Sequence, residues 1–229
     1  MESTQQTFNN PAESTVPVPQ PVKSAPLRAL ATFISYLFHP IFMPTIVVTA
    51  MYFLVPVSFK GITPEVAKFR LATVVMLTAF FPLFSVLLMK ALGFIKSIYM
   101  RDPKDRIIPL IAIMIFYFWS QQVFSNLKDT PVIIKIWMLG LFWGIILLFL
   151  ISIFFKISMH TTAAGGMVGI MIVLLLTSSV NIMTAFFASV ILAGLIGTAR
   201  LLLGEHRPPE IWLGYIVGII VQLAAWAYV

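Results

Sequence analysis

The amino-acid sequence predicts an all-α fold, a polytopic transmembrane helix bundle of about six to seven spans. Three observations predict it. Hydrophobic residues make up 60% of the chain and charged residues 10%, against about 25% charged in ordinary soluble domains. The apolar residues fall in runs that approach the ~20 residues needed to cross a ~30 Å hydrocarbon core. The charges gather in short polar stations between those runs, because charge inside a bilayer is costly. Cysteine is absent, which excludes a disulfide framework, a thiolate nucleophile and a cysteine-ligated metal. The net charge of +7 fits loop anchoring and attraction to anionic lipid rather than nucleic-acid binding.

In chain order, residues 1–27 read as a disordered polar tail, rich in Pro, Ser, Thr and Gln and without apolar period. Residues 28–229 read as one membrane-embedded helical domain. The apolar segments run 29–54, 71–95, 107–125, 132–155, 163–180, 183–203 and 211–229. Pro40, Pro44 and Pro56 are expected to kink or end the first. Residues 161–203 carry no charge before Arg200, and as one helix they would run to ~65 Å at ~1.5 Å per residue. That is about twice the bilayer core, so a turn is expected at Ser178-Ser179-Val180-Asn181. Gln121 and Gln122 are candidates for hydrogen bonds between helices.

Polar stations follow the second, fourth and sixth segments, and therefore fall on one membrane face. The first is Lys96-Ser-Ile-Tyr-Met-Arg101-Asp-Pro-Lys104-Asp-Arg106, just before a helix start near Pro109. Arginine can clamp phosphate oxygens with two parallel hydrogen bonds, and lysine offers a point charge. The plain alternative is an anchoring loop with Asp102 and Asp105 pairing locally. The second station is Lys156-Ile-Ser158-Met-His160-Thr-Thr-Ala-Ala-Gly165-Gly166. There a histidine flanked by hydroxyls enters a small-residue helix, which reads equally as an anion site or as a helix-packing face. The third runs from Arg200 through Glu205, His206 and Arg207 to Pro208-Pro209-Glu210. Proline suits a first helical turn and the helix dipole favours an acid there. Glu210 should thus lie within reach of His206. Snorkelling loop charges would explain Arg200 and Arg207 well enough, and the ordered His206 and Glu210 less well. His39, in Phe38-His39-Pro40, reads as structural.

Together the stations resemble the signature of the type 2 phosphatidic acid phosphatase superfamily, whose motifs run Lys-x6-Arg-Pro, Pro-Ser-Gly-His and Ser-Arg-x5-His-x3-Asp. The third is matched by Arg200-x5-His206-x3-Glu210, with Gly204, Pro208 and Gly214 where members often have glycine, proline and glycine. The second is matched by Ser158-Met159-His160-Thr161. The resemblance covers roughly residues 96–215. Glu210 stands in place of aspartate, Ala199 in place of serine, and Ile157 and Met159 in place of proline and glycine. The first motif matches least. Spacing back from Pro109 puts Arg101 at the lysine position and Ile108 at the arginine position; Arg106 could serve instead, with Lys104 or Arg101 as the second cation.

The resemblance implies an enzyme, a metal-independent lipid phosphate phosphatase that needs no cofactor and works through a phosphohistidine. His206 would attack phosphorus, Glu210 would orient it, and His160 would protonate the leaving oxygen and later activate water. Arg200, Ser158, Arg106, Lys104 and Arg101 would bind phosphate. The substrate would be an anionic phospholipid or isoprenoid phosphate held in the membrane, such as a polyprenyl diphosphate, phosphatidate or phosphatidylglycerophosphate. A metal-dependent hydrolase using His160, His206, Glu205 and Glu210 is a rival. It lacks a His-Glu-x-x-His helix, and the arginines would oppose a bound cation. The other alternative is a non-catalytic lipid-binding or transport protein on a degenerate phosphatase fold.

Ten of the fifteen Lys and Arg residues fall on the face of the stations, which alone would make that face cytoplasmic. Removing the five closest to the proposed site, Arg101, Lys104, Arg106, Lys156 and Arg200, leaves the faces equal. Bacterial relatives of this type often work on the outer face, so the expected location is a bacterial inner membrane with the site outside.

Overall fold

The computed structural model describes residues 20–95 and 106–229. Among them are eight α-helices and no strand: α1 (Ala25–Leu37), α2 (Met43–Leu54), α3 (Pro64–Ala91), α4 (Ile107–Asn126), α5 (Val132–Phe154), α6 (Met159–Thr177), α7 (Met183–Leu202) and α8 (Pro208–Tyr228). Helices α3 to α8 are each long and apolar enough to cross a membrane. The chain is an all-α polytopic bundle, as its composition predicts. Large apolar side chains such as Phe84, Trp119, Ile191 and Trp212 stand exposed on the outside, as a lipid-facing surface needs.

The first predicted span is not one helix. It breaks between Leu37 and Met43, leaving α1 and α2 with 13 and 12 residues. Pro40 supplies no N–H and its ring would clash with the carbonyl of Tyr36, while the residue before it is pushed out of helical geometry. Helix α2 alone covers only ~18 Å at ~1.5 Å per residue. It continues through a 3-10 turn at Pro56–Phe59. Helix α1 packs along α7 instead, and the Val22 N–H donates to the Leu202 carbonyl at 2.9 Å. The domain boundary expected after residue 27 thus falls within the first turn of α1; residues 1–19 of the predicted tail lie outside the described residues.

The second span begins earlier than hydropathy suggests. Glu65, Lys68 and Arg70 lie inside α3, which Thr63 caps through Oγ1 to the Val66 N–H at 3.4 Å. Arg70 donates to the carbonyls of Lys128 and Asp129 at 2.7 and 2.9 Å, tying the start of α3 to the α4–α5 loop. Midway, residues Met76–Phe80 widen into a π turn immediately before Phe81-Pro82. A π turn is one of the few ways a helix accommodates a proline without ending. The turn expected at 178–181 is present: Ser178 Oγ accepts from the Val180 N–H, and Asn181 Oδ1 from the Met183 N–H at the start of α7.

At the centre lies α6, the most buried of the membrane helices. It packs most extensively on α8, while α5 lines α4 and α8. A large core of Met43, Met51, Phe124, Trp137, Ile170 and Leu174 packs α2, α4, α5 and α6 together. Gln121 bonds Ser125 on its own helix at 3.0 Å. The amide buried between helices is instead Gln222 of α8, which faces Gly140 of α5.

Candidate active site

The seam between α6 and α8 sets the site. A Cβ at Gly218 would collide with the carbonyl of Thr162, and one at Gly165 with the carbonyl of Tyr215. Glycine at these positions lets the two backbones touch. The start of α6 is thereby held against the start of α8, and the Ser158 N–H donates to the Glu210 carbonyl at 3.3 Å. Ser158 is fully buried and caps α6, its Oγ accepting from the Thr161 N–H at 3.4 Å. An N-cap hydroxyl that accepts in this way retains its own O–H to donate.

Just past the end of helix α7, Gly204 has a φ of +66°, the left-handed conformation that favours glycine. The Gly204 N–H returns to the Leu201 carbonyl at 2.9 Å, and the chain turns back across the end of the bundle. Residues 205–207 then lead into Pro208, the first residue of α8. His206, only 4% exposed, lies in this loop, with Nδ1 2.6 Å from Oε2 of Glu210 in the first turn of α8. A carboxylate can only accept, so Nδ1 carries a proton and, in the neutral ring, Nε2 holds the lone pair. Burial pushes the His206 pKa below the ordinary histidine value, against the opposing hydrogen bond and charge of Glu210.

Arg200 occupies the last turn of α7. Its Nη1 donates to Ser35 Oγ at 3.3 Å, and Nη2 stands 3.8 Å from Oε2 of Glu205. Its Nε–H is buried with no acceptor among the described residues. Arg106 is buried at the start of α4; its Nη1 donates to the Ile157 carbonyl at 3.1 Å, and it acts electrostatically on Arg200. His160, the second residue of α6, lies within electrostatic reach of Arg200 and His206 and places Nε2 3.1 Å from the Ser35 carbonyl. His206, Glu210, Arg200, His160, Ser158 and Arg106 therefore converge at one end of the bundle. Arg101 and Lys104, with Lys96, lie outside the described residues.

Three further residues enter: Lys156 and Ser35, for which no role was expected, and His39, which was expected to be structural. Lys156 donates through Nζ to the Glu205 carbonyl at 2.8 Å and acts electrostatically on His206 and Glu210. Its place two residues before Ser158 was the available signal. Ser35 touches both Arg200 and His160, and the His39 ring meets that of His160 edge to face at 5.3 Å between centroids. Burial, then the Arg200 charge, lower the pKa of His39 as well. No local pattern marks Ser35 or His39, because the contact depends on where the first span breaks. Cavities of about 430 and 330 Å³ lie at the opposite end, around Pro131 with Ser178 and Val229, and between α2 and α3.

Searches against protein-family models, curated proteins and solved structures each returned no match.

Proposed function

We propose that the chain is an integral-membrane phosphatase that removes phosphate from a lipid phosphate or diphosphate through a phosphohistidine intermediate. His206 Nε2 attacks phosphorus in line with the leaving oxygen, and the P–O bond to the lipid breaks as the P–N bond forms. Glu210 holds the Nδ1 proton and stabilises the cationic ring that results. His160 gives a proton to the leaving oxygen and then takes one from the water that cleaves the P–N bond. Arg200, Arg106 and Ser158, with Arg101 and Lys104 of the segment before α4, hold the non-bridging oxygens.

The observation that carries this reading is the His206–Glu210 pair at 2.6 Å, because it holds a proton on Nδ1 of a ring that burial favours as neutral, which leaves the lone pair on Nε2. The buried Arg200 Nε–H, without an acceptor among the described residues, supports it, since an anion would supply one. The bundle around the site favours a substrate whose tails stay in lipid: a polyprenyl diphosphate, phosphatidate or phosphatidylglycerophosphate rather than a soluble ester.

The test is phosphate release from a panel of these lipids by protein purified in detergent, with EDTA present, beside His206→Ala. Release that survives chelation and disappears in His206→Ala is the expected result. Loss with EDTA would point to a bound metal, and no release from any lipid to a binding or transport protein.

A further inference from the structure

The break in the first apolar segment frees a hydrogen-bond acceptor at the site. In an unbroken helix the Ser35 carbonyl would accept from the N–H of His39, four residues on. The His39 N–H instead turns to the Tyr36 carbonyl at 3.3 Å. Pro40 contributes no N–H at the end of α1. The last carbonyls of a helix need partners from elsewhere, and for Ser35 the partner is His160 Nε2 at 3.1 Å. A carbonyl can only accept, so Nε2 of His160 carries a proton and, in the neutral ring, Nδ1 holds the lone pair. The hydroxyl of Ser35 meanwhile accepts from Arg200 Nη1 at 3.3 Å.

We propose that the α1–α2 corner is a positioning element, in which the Ser35 carbonyl fixes the tautomer of His160 and the Ser35 hydroxyl aims Arg200. The two histidines then work from opposite ring nitrogens. His206 is held at Nδ1 and acts through Nε2; His160 is held at Nε2, so Nδ1 takes up a proton beside the bound anion, gives it to the leaving oxygen, and with its lone pair restored then takes one from water. The holding groups differ in a way that suits the two tasks. A carboxylate stabilises the positive ring that a phosphohistidine carries, whereas a neutral carbonyl orients the ring with a smaller bias toward the charged form. Their roles in turnover rest on the phosphatase reading; the tautomers do not.

The experiment is ¹⁵N NMR of full-length protein labelled at its three histidines, assigned with His39→Gln and His206→Gln. The expected spectrum has the neutral His160 protonated at Nε2 and the neutral His206 protonated at Nδ1. Pro40→Ala removes the clash and restores an N–H, so α1 can extend and recapture the Ser35 carbonyl. His160 should then become a mixture of tautomers, and kcat should fall while circular dichroism stays helical. Ser35→Ala keeps the carbonyl, so the tautomer should persist while KM rises about 10-fold from the lost bond to a charged group, with Ser35→Thr restoring it. Protonation of neutral His160 at Nδ1, or a tautomer indifferent to Pro40→Ala, would overturn the inference even if lipid phosphates are hydrolysed. Tautomers as stated, without turnover of any lipid, would support the corner's role and defeat the phosphatase reading alone.

Discussion

Glu210 reaches back from the first turn of α8 to His206, its Oε2 2.6 Å from Nδ1, across the Pro208-Pro209 pair that starts the helix. The longer arm of glutamate closes this gap. Glu210→Asp, one methylene shorter, should break the bond, and Glu210→Gln should keep the shape but lose the charge. Either should lower kcat by about 10²- to 10⁴-fold, the range seen when a carboxylate orienting a catalytic histidine is removed. Because the pair acts as a unit, His206→Ala with Glu210→Gln should be scarcely worse than His206→Ala alone. Equal, additive losses would show that the two act separately.

Burial lowers the His206 pKa, so the ring is neutral at pH 7 and kcat/KM should fall only below about pH 6.5, the ordinary histidine value. Glu210 opposes that shift, so Glu210→Gln should move the acid limb to still lower pH while reducing its plateau. The same shift makes stability pH-dependent. As pH falls through about 6.5, the unfolded chain binds a proton at this residue before the folded one does, and stability declines until the folded pKa is passed. His206→Gln should flatten that part of a Tm-against-pH curve measured in detergent.

Arg200 offers a planar fork that lysine cannot reproduce. Arg200→Ala should lower kcat/KM by about 10²-fold or more, as removal of a preorganised charge-stabilising donor does. Arg200→Lys should recover only part of it. Unchanged kcat/KM in both variants would remove Arg200 from phosphate binding.

The α6–α8 seam can be tested through stability alone. Gly218→Ala puts a methyl into the Thr162 carbonyl and should cost about 1–3 kcal/mol, as overpacking does, with a lower Tm. Gly194→Ala is the control, since a methyl there meets nothing within 4 Å. It should leave Tm unchanged or slightly raised. If Gly218→Ala folds, the proposed phosphatase activity should fall too, because Ser158 is held against Glu210 through this seam.

Much of this was legible in the chain. The helices from α4 onward sit where apolar runs predict them, because a ~30 Å core demands a minimum length and tolerates few charges. The turn before α7 and the prolines opening α8 follow from local chemistry at Ser178, Asn181, Pro208 and Pro209. The start of α3 was not legible, because Glu65, Lys68 and Arg70 lower the hydropathy of a segment that a threonine cap and proline still make helical. Nor was the division of the first span, which depends on how a proline break is resolved in three dimensions.

The sequence by itself determined a membrane-spanning helical bundle and put its polar stations on one face, because bilayer thickness and alternating direction leave little choice. It also set His206 and Glu210 four residues apart across a helix start, where the first turn of α8 can aim the carboxylate back at the loop before it. Only the tertiary structure decided which distant groups meet them. The glycine seam of α6 and α8 presses Ser158 against Glu210, and the break at Pro40 delivers Ser35 to Arg200 and His160. Those contacts span 165 and 125 residues in the case of Ser35, and no local spacing encodes them; they exist because backbones without side chains can approach and because a freed carbonyl must find a donor.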